Sequence, residues 1–373
     1  MRIYYVSSGL QSCYFVRCLL PLIANGYDGD ITSIVPEHNT PENKSQAAQA
    51  ADIVVFHRPE QPGKLKMARL LKDAGKKIVF DNDDTYKDMG GFKLSDELDH
   101  ERMKRGLKRV NDGIDSFIID ADLVTCSTEF LATEYRKLNP NVVVLPNCVD
   151  PFYFDEPLRN ETDVVRIGIT GSIAVTTDIK ILAPIMKHYE NDKRVRLVLF
   201  SLPPNRQDKT LRKLYAEEYK VFDSMNFEWQ AFVPIDQYFD KLNELRLDIM
   251  IIPRSDNYFN RCKSNVKFLE ASGFEIPVIA SGFPDKQSPY EQNPEDAKHM
   301  VIVPCEGYEA SKKKGEPWKA DSQTDLWIRE IEKLIKDKAL RREMGAKAKK
   351  YVFDNYNINR KYYLWANAYE SIK

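Results

Sequence analysis

The 373-residue sequence predicts an α/β protein with two Rossmann-like domains, each built on a parallel β-sheet. Three observations favour this fold class. Short apolar segments alternate with helical segments in both halves of the chain, which is typical of a parallel sheet covered by helices on both faces. A polar segment with two prolines, residues 150–162, separates the two series. The length is also sufficient for two domains with separate cores.

The composition is that of an ordinary folded globular protein, with 43% hydrophobic and 30% charged residues. A formal net charge of −1 gives no overall field that would attract nucleic acid or anionic lipid. No apolar segment approaches the roughly 20 residues of a membrane span, and Met1–Val6 is too short for a signal peptide. The six cysteines show no zinc-binding spacing. We therefore predict reduced, buried thiols and a cytoplasmic location.

In the first half, polar residues follow the ends of predicted strands. The predicted strands are Ile3–Val6, Ile31–Val35, Ile53–Phe56, Ile78–Phe80, Leu123–Cys126 and Val142–Leu145. The predicted helices are Ser12–Ala24, Pro62–Ala74, Glu97–Arg109 and Glu129–Leu138. Ligands of parallel sheets bind beyond the carboxyl ends of the strands. Gly9, His57, Arg58 and Asp81–Asp84 all fall there.

Two of these segments bear on which cofactor or metal the protein could bind. The loop around Gly9 lacks the full G-x-G-x-x-G fingerprint, which disfavours an NAD-dependent enzyme. The three carboxylates of Asp81–Asp84 have the chemistry of a site for Mg²⁺ or Mn²⁺. The candidate phosphate site lies in the other half of the chain and is cationic, so we predict no metal. We assign Asp84 instead to an acceptor hydroxyl, as base or hydrogen-bond acceptor; a turn-forming role for these aspartates is an equal alternative.

The second half repeats the alternation. The predicted strands are Val165–Thr170, Leu197–Phe200, Phe227–Phe232, Ile249–Ile252, Ile276–Ala280 and Met300–Val303. Helices are predicted from about Asp178, at Lys209–Phe222, at Ile235–Leu245, within Trp327–Tyr356 and at Asn359–Ile372, with a long loop at Pro284–Lys298. After the first of these strands, Gly171 permits close approach of a phosphate and Ser172 supplies a hydrogen-bond donor.

The segment Asn260–Ser281 carries the most specific signal. A helix is predicted to begin near Ser264 or Asn265, either of which can cap its first turn, and to bury Val266, Leu269 and Gly273. A polar stripe of Lys263, Lys267 and Glu270 lies at positions i, i+4 and i+7. Ammonium groups and helix N–H groups suit a diphosphate, and the carboxylate suits a ribose diol. The alternative is a surface helix with one ion pair.

This segment resembles the donor-binding signature of retaining GT-B glycosyltransferases of glycosyltransferase family four. The resemblance is carried by K-x-x-E-A from Lys267, then G-F-E-I-P-V-I-A-S from Gly273. The segment Val144–Asp150, followed by Phe152 and Phe154, is similar to the end of the first domain in that class. The resemblance implies two domains facing across a cleft. The first is residues 1–155 with the 359–373 helix crossing back onto it, and the second is residues 156–358.

The resemblance also implies roles for single residues. Glu270 holds the nucleotide ribose, Lys263 and Lys267 hold the phosphates, and His57 faces the donor sugar. Further donor and acceptor contacts are implied for Gly9, Gly171, Ser172, Val233, Ser264, Asn265 and Val266. The donor is a substrate, most simply a UDP- or GDP-sugar, and no separate cofactor is expected. One departure is Cys262, where many members have a glutamate; we expect Lys263, Ser264 and Asn265 to do part of its work.

The acceptor and the activity have alternatives. The main interpretation is transfer to a hydroxyl of a saccharide or lipid-linked glycan. A phage-type transferase acting on a hydroxymethylated DNA base, in the host cytoplasm, is the alternative acceptor class. A sugar-nucleotide epimerase and a non-catalytic nucleotide-binding protein are the alternative activities. The sequence leaves the donor sugar, the acceptor and the oligomeric state open.

Overall fold

The computed structural model describes residues 1–6, 12–26, 28–30, 40–59, 61–85, 87, 97–171, 178–201, 220, 227–304 and 323–373. Gly9, Ser172, the predicted strand Ile31–Val35 and nearly all of the predicted helix Lys209–Phe222 lie outside the described residues. The described chain forms two six-stranded sheets in which every strand pairing is parallel. The predicted fold class of two parallel-sheet α/β domains is confirmed.

The first sheet has the strand order β2-β1-β3-β4-β5-β6. Its strands are β1 (Arg2–Val6), β2 (Asp28–Asp30), β3 (Ile53–His57), β4 (Lys77–Asn82), β5 (Leu123–Cys126) and β6 (Val142–Val144). Its helices are α1 (Ser12–Tyr14), a π-helical segment (Phe15–Leu19), α2 (Leu20–Asn25), α3 (Pro41–Ala50), α4 (Pro62–Asp73), α5 (Glu97–Asp120) and α6 (Glu129–Tyr135). All five residues of β3 are buried, because helices cover both faces of the sheet.

Helix α5 is longer than predicted. It continues through Gly106 and Gly113 to Asp120, because Ile114, Phe117 and Ile118 pack into the core on the face of the sheet that α3–α6 cover. Tertiary packing therefore outweighs the low helix propensity of the two glycines. None of the helices in the described part of the chain has both the length and the apolar composition of a membrane span.

The second sheet has the strand order β12-β11-β10-β7-β8-β9. Its strands are β7 (Val165–Thr170), β8 (Val195–Ser201), β9 (Glu228–Ala231), β10 (Ile249–Ile252), β11 (Val278–Ser281) and β12 (Val301–Val303). Its helices are α7 (Ile179–Tyr189), α8 (Ile235–Glu244), α9 (Tyr258–Arg261), α10 (Val266–Gly273), α11 (Pro294–Ala297), α12 (Thr324–Lys336) and α13 (Lys338–Asn355). The short helices α9 and α11 were not predicted. The side chains of Asn257 and Asn293 cap them.

The C-terminal helices α14 (Ile358–Lys361) and α15 (Tyr363–Glu370) pack on α2 of the first sheet, as predicted. The hydroxyl groups of Tyr5 and Tyr369 lie 3.3 Å apart in the interior of this contact. One hydrophobic cluster runs from these helices through both domains. Phe154, in the segment between the sheets, belongs to it, and its ring centroid lies 4.9 Å from that of Phe274.

Gly345 in α13 lies at a tight contact between two elements of the second domain, which a substitution can test. A Cβ at this position would lie 1.9 Å from the backbone oxygen of Glu275, which ends the turn after α10 with a φ of 57°. We expect Gly345→Ala to lower the free energy of unfolding by about 3 kcal/mol, because backbone atoms must move apart. Denaturant unfolding measures this.

Gly106→Ala is the matched control. This glycine also lies within a helix, and nothing lies within 4 Å of its added Cβ. Alanine should stabilise the helix there by about 1 kcal/mol. Equal effects of the two substitutions would contradict the tight contact at Gly345.

Candidate active site

A cavity of about 570 Å³ lies between the two domains. The carboxyl ends of strands from both sheets bound it. The residues just after these ends line it: Arg58 after β3, Asp83 and Asp84 after β4, Gly171 after β7 and Arg254 after β10. Parallel sheets bind ligands at these ends, and the volume lies within the range of small-molecule sites. Helix α10 supplies Val266, Lys267 and Glu270 to the same wall, and Val233 lines it from the segment before α8.

Lys267, Glu270 and Tyr238 form a hydrogen-bonded group in this wall. The Lys267 ammonium donates to Glu270 Oε2 at 2.7 Å and contacts the Tyr238 hydroxyl at 3.0 Å. Tyr238 donates to the same Oε2 at 2.7 Å. Burial lowers the pKa of Lys267, but Glu270 and Tyr238 outweigh burial and hold this pKa above its ordinary value. Lys267 is therefore charged, and its chain passes close to Gly171.

Glu270 retains acceptor capacity. It is only 5% exposed, and both of its hydrogen bonds end on Oε2. Within the described part of the chain, Oε1 has no protein partner. Oε1 is therefore able to accept a hydrogen bond from a ligand or from water.

Lys263 lies in the same cavity but not on α10, which corrects the predicted polar stripe of one helix. It precedes the helix, between α9 and α10. Its ammonium pairs with Asp84 Oδ2 of the first domain at 2.8 Å and lies 4.0 Å from the centroid of the Phe259 ring. The cation expected to hold phosphate therefore also joins the two domains.

The predicted capping of α10 by a side chain is wrong. Asn265 stands at the N-cap position but makes no capping hydrogen bond; its amide donates to Asp296 Oδ2 at 2.6 Å instead. The Ser264 hydroxyl accepts a hydrogen bond from Asn147 of the first domain at 2.8 Å. Ser264 and Val266 line the cavity, whereas the Asn265 side chain is directed away from it to Asp296. The first turn of α10 therefore keeps N–H groups available.

The three aspartates at the end of β4 and just after it each have a cationic partner. Asp81 pairs with Arg17 at 2.6 Å, Asp84 pairs with Lys263, and Asp83 lies 3.9 Å from the Arg58 guanidinium. Burial raises the pKa of Asp83, but Arg58 and His57 outweigh it and hold this pKa below its ordinary value. Arg58 has a φ of 47°, a strained conformation for a residue with a side chain.

His57 is buried beneath the cavity, and it is not among the described residues that line it. Its Nδ1 lies 2.8 Å from Asp81 Oδ1, beside Asp81 in the register of β3 and β4. Arg17 and Thr125 also donate to Asp81. Cys18, His57 and Asp81 place ligand atoms within 4.8 Å of one another, the spacing of a metal site. The Arg17 guanidinium already neutralises Asp81 there, so a metal ion would meet a second cation.

Arg254 and Tyr238 are cavity residues that the sequence analysis missed. The Arg254 guanidinium donates to Asp178 Oδ2 at 2.7 Å. Its Nε is buried and has no hydrogen-bond partner among the described residues. Arg254 follows the end of β10 as Arg58 follows β3, so the rule of strand ends could have found it. Tyr238 lies one turn into α8, and its direction depends on how that helix packs.

Cys262 has a structural role. It is completely buried and packs in the hydrophobic cluster of the first domain, on the face of the sheet that α3–α6 cover. Burial and the charge of Asp84 raise the pKa of its thiol. The residue at which the sequence departs from the resembled signature is therefore a neutral core residue that joins the domains.

No protein-family profile and no curated protein sequence matches this chain. Solved structures match it. HepE from Anabaena, in complex with UDP and glucose, is 13% identical over 100% of both chains, with a TM-score of 0.62. A glycosyltransferase from Rickettsia africae is 13% identical over 100% of this chain and 98% of its own, with a TM-score of 0.59.

S. aureus TarM, in complex with fondaparinux, α-GlcNAc-glycerol and UDP, is a third match. It is 14% identical over 85% of this chain, with a TM-score of 0.55. The match covers only 55% of TarM, so this chain spans about half of that protein's length. At these identities the likeness establishes the fold alone, and that fold is GT-B, as predicted.

Proposed function

We propose that this protein is a glycosyltransferase that moves a sugar from a nucleotide-sugar donor to a hydroxyl acceptor. The observation that carries the proposal is the Lys267–Glu270–Tyr238 group in a 570 Å³ cavity between two parallel sheets. The cavity has room for a nucleotide sugar, and the group combines a half-buried cation with a buried carboxylate. The neighbouring HepE structure contains UDP and glucose, which makes a UDP-sugar the first donor to test.

The donor is held mainly by the second domain. Oε1 of Glu270 accepts hydrogen bonds from the ribose diol, and Lys267 and Lys263 bind the diphosphate. The free Nε–H of Arg254 and the N–H groups at the start of α10 supply further donors to the phosphates. Val233 and the adjacent start of α8 lie against the nucleobase.

The four carboxylates of the described cavity wall favour a mechanism without a metal or a covalent intermediate. They pair one to one with its four cations, as Asp83–Arg58, Asp84–Lys263, Asp178–Arg254 and Glu270–Lys267. Each of these carboxylates lies within 4 Å of its cation, so its charge is compensated without a metal ion. The Asp83–Arg58 pair is the longest, at 3.9 Å, and Asp83 Oδ1 has no hydrogen-bond partner among the described residues. The cations instead stabilise the charge that develops on the departing diphosphate.

Transfer then proceeds on one face of the sugar and retains the anomeric configuration. The bond from the anomeric carbon to the diphosphate oxygen breaks, and the acceptor oxygen forms the new bond to that carbon. The hydroxyl proton passes to the departing diphosphate. Binding of the diphosphate to Lys263 draws this cation from Asp84, which leaves Asp84 free to orient the acceptor hydroxyl.

A thermal-shift screen with UDP-, GDP-, ADP- and CMP-sugars tests the proposal. A donor at a hundred times its Kd stabilises the fold by about 2.7 kcal/mol, which raises Tm by on the order of a few degrees. We expect one nucleotide class to do so and its sugar to be transferred or slowly hydrolysed. Failure of all four classes would overturn the proposal. Release of a 2-epimerised sugar would identify an epimerase, and binding without any turnover a nucleotide-binding protein.

A further inference from the structure

A second cavity, of about 110 Å³, lies on the acceptor side of the molecule. Its wall comes from the loop after β4, from α5 and from α6, and Tyr258 of α9 closes it from the second domain. Its volume is about a fifth of that of the donor cavity, which is too little for a nucleotide sugar. None of the roles proposed above uses it.

The two cavities share a wall. At the end of β4 and in the loop after it, Asp83 and Asp84 line the donor cavity, whereas Asn82 and Thr85 line the second cavity. In α9, Phe259 lines the donor cavity and its neighbour Tyr258 lines the second. An acceptor whose reacting hydroxyl lies at Asp84 would therefore have its next unit close to the second cavity.

The polar groups of the second cavity are balanced in charge. Lys87 pairs with Asp115 at 2.8 Å, and Lys137 pairs with Glu134 at 2.6 Å. Both cations in the described wall therefore have a carboxylate partner, and the wall offers no excess positive charge to a phosphate. Anionic ligands and nucleic acid are disfavoured by this balance.

The same wall is rich in groups that bind hydroxyls. Glu134 accepts from the Tyr258 hydroxyl at 3.2 Å, and the Asn82 amide donates to the Tyr135 hydroxyl at 3.1 Å. Amides, carboxylates and phenols of this kind both donate and accept, as each sugar hydroxyl requires. The Tyr258 ring adds an amphipathic surface for the C–H face of a sugar. A lipid chain would bury these polar pairs without offering them any further hydrogen bond.

We propose that the second cavity binds a neutral sugar ring of the acceptor, so that the acceptor is a glycan of at least two sugar units. This inference rests on the proposed function, because it assigns the acceptor for that reaction. A glycan places one ring at Asp84 and the adjacent ring between α5, α6 and Tyr258.

Saturation-transfer NMR tests the inference with glucose, galactose, mannose and N-acetylglucosamine as separate probes. Each is added with UDP and, in a second series, with GDP, and nucleotide binding is measured independently by calorimetry. We expect at least one sugar to receive saturation from the protein while the nucleotide is bound. No signal from any of the four sugars, or a signal that the nucleotide displaces, would overturn the inference.

Variants locate the binding. Lys87→Met and Tyr258→Phe should each weaken sugar binding about fivefold, the effect of one lost hydrogen bond, and leave nucleotide binding unchanged. Lys108→Met is the matched control, because Lys108 is an exposed residue of α5 that pairs with Asp112 outside the cavity. The inference would be overturned if both cavity variants bound sugar as well as the wild type does. It would also be overturned if the protein bound duplex DNA and either variant abolished that binding. If no nucleotide binds, the proposed function fails first, and the inference fails with it.

Discussion

Lys267→Ala should lower the rate of sugar transfer about a hundredfold to a thousandfold, the usual effect of removing one group that stabilises a developing negative charge. Lys267 lies beside the buried Glu270 with its own side chain only 19% exposed, and it remains charged, so its ammonium acts on the departing diphosphate with limited screening by water. The measurement is the initial rate of nucleotide release in the presence of acceptor, with the donor that the thermal-shift screen identifies.

Lys298→Ala is the matched control for this substitution. Lys298 lies in the same domain, but its side chain is 64% exposed and pairs only with Glu295. Its loss should leave the rate within about twofold, because exposed ion pairs contribute little. Melting temperatures of both variants show whether the fold persists. Wild-type turnover in both Lys267→Ala and Glu270→Ala would show that this cavity is not the donor site.

Arg17→Met should lower the free energy of unfolding by about 3–5 kcal/mol. Arg17 is buried in the first domain, where it donates to Asp81 and to the carbonyl oxygen of Leu145. Methionine fills much of the same volume but leaves the Asp81 carboxylate buried without its main countercharge. Denaturant unfolding at neutral pH measures the loss.

The double variant Arg17→Met with Asp81→Asn separates the charge from the packing. Because it removes both charges, it should be more stable than Arg17→Met alone. Arg69→Met, at an exposed pair with Asp120, should cost at most about 1 kcal/mol. If Arg17→Met is no worse than Arg69→Met, the buried pair does not stabilise the fold.

The Arg17–Asp81 pair also makes the free energy of unfolding depend on pH, in a direction that follows from the pKa of Asp81. Burial raises the pKa of Asp81, but Arg17 and His57 outweigh it and hold the folded-state pKa well below its ordinary value. The stabilisation is therefore complete above the unfolded-state pKa of about 4 and is lost as the pH falls below it. Unfolding at pH 5 and pH 3 should show a larger loss for the wild type than for Asp81→Asn.

The alternation of strands and helices could be predicted because strands buried on both faces are nearly continuous apolar runs. The strand Ile53–His57 is an example, and all of its residues are buried. Positions at the ends of such strands could also be predicted to line a site. Asp84 and Gly171 do line the cavity. Arg254, which follows the end of a strand but was not predicted as a site residue, lines it too.

The directions of side chains could not be predicted. His57 follows the same rule of strand ends as Arg58, yet Asp81 holds its ring beneath the cavity. Cys262 is next to Lys263 in the sequence, yet it packs into the core of the other domain. In both cases the partner is distant in the sequence and becomes a neighbour only when the two domains fold together.

The sequence by itself determined the two parallel sheets, their alternation with helices and the helix that carries Lys267 and Glu270. Local periodicity contains that information, because burial on one face or on two leaves a repeat in the chain. Only the tertiary structure decided which charges meet, such as Lys263 with Asp84 and Arg17 with Asp81. Ion pairing depends on a few ångströms between side chains far apart in the sequence, and no local pattern records that distance.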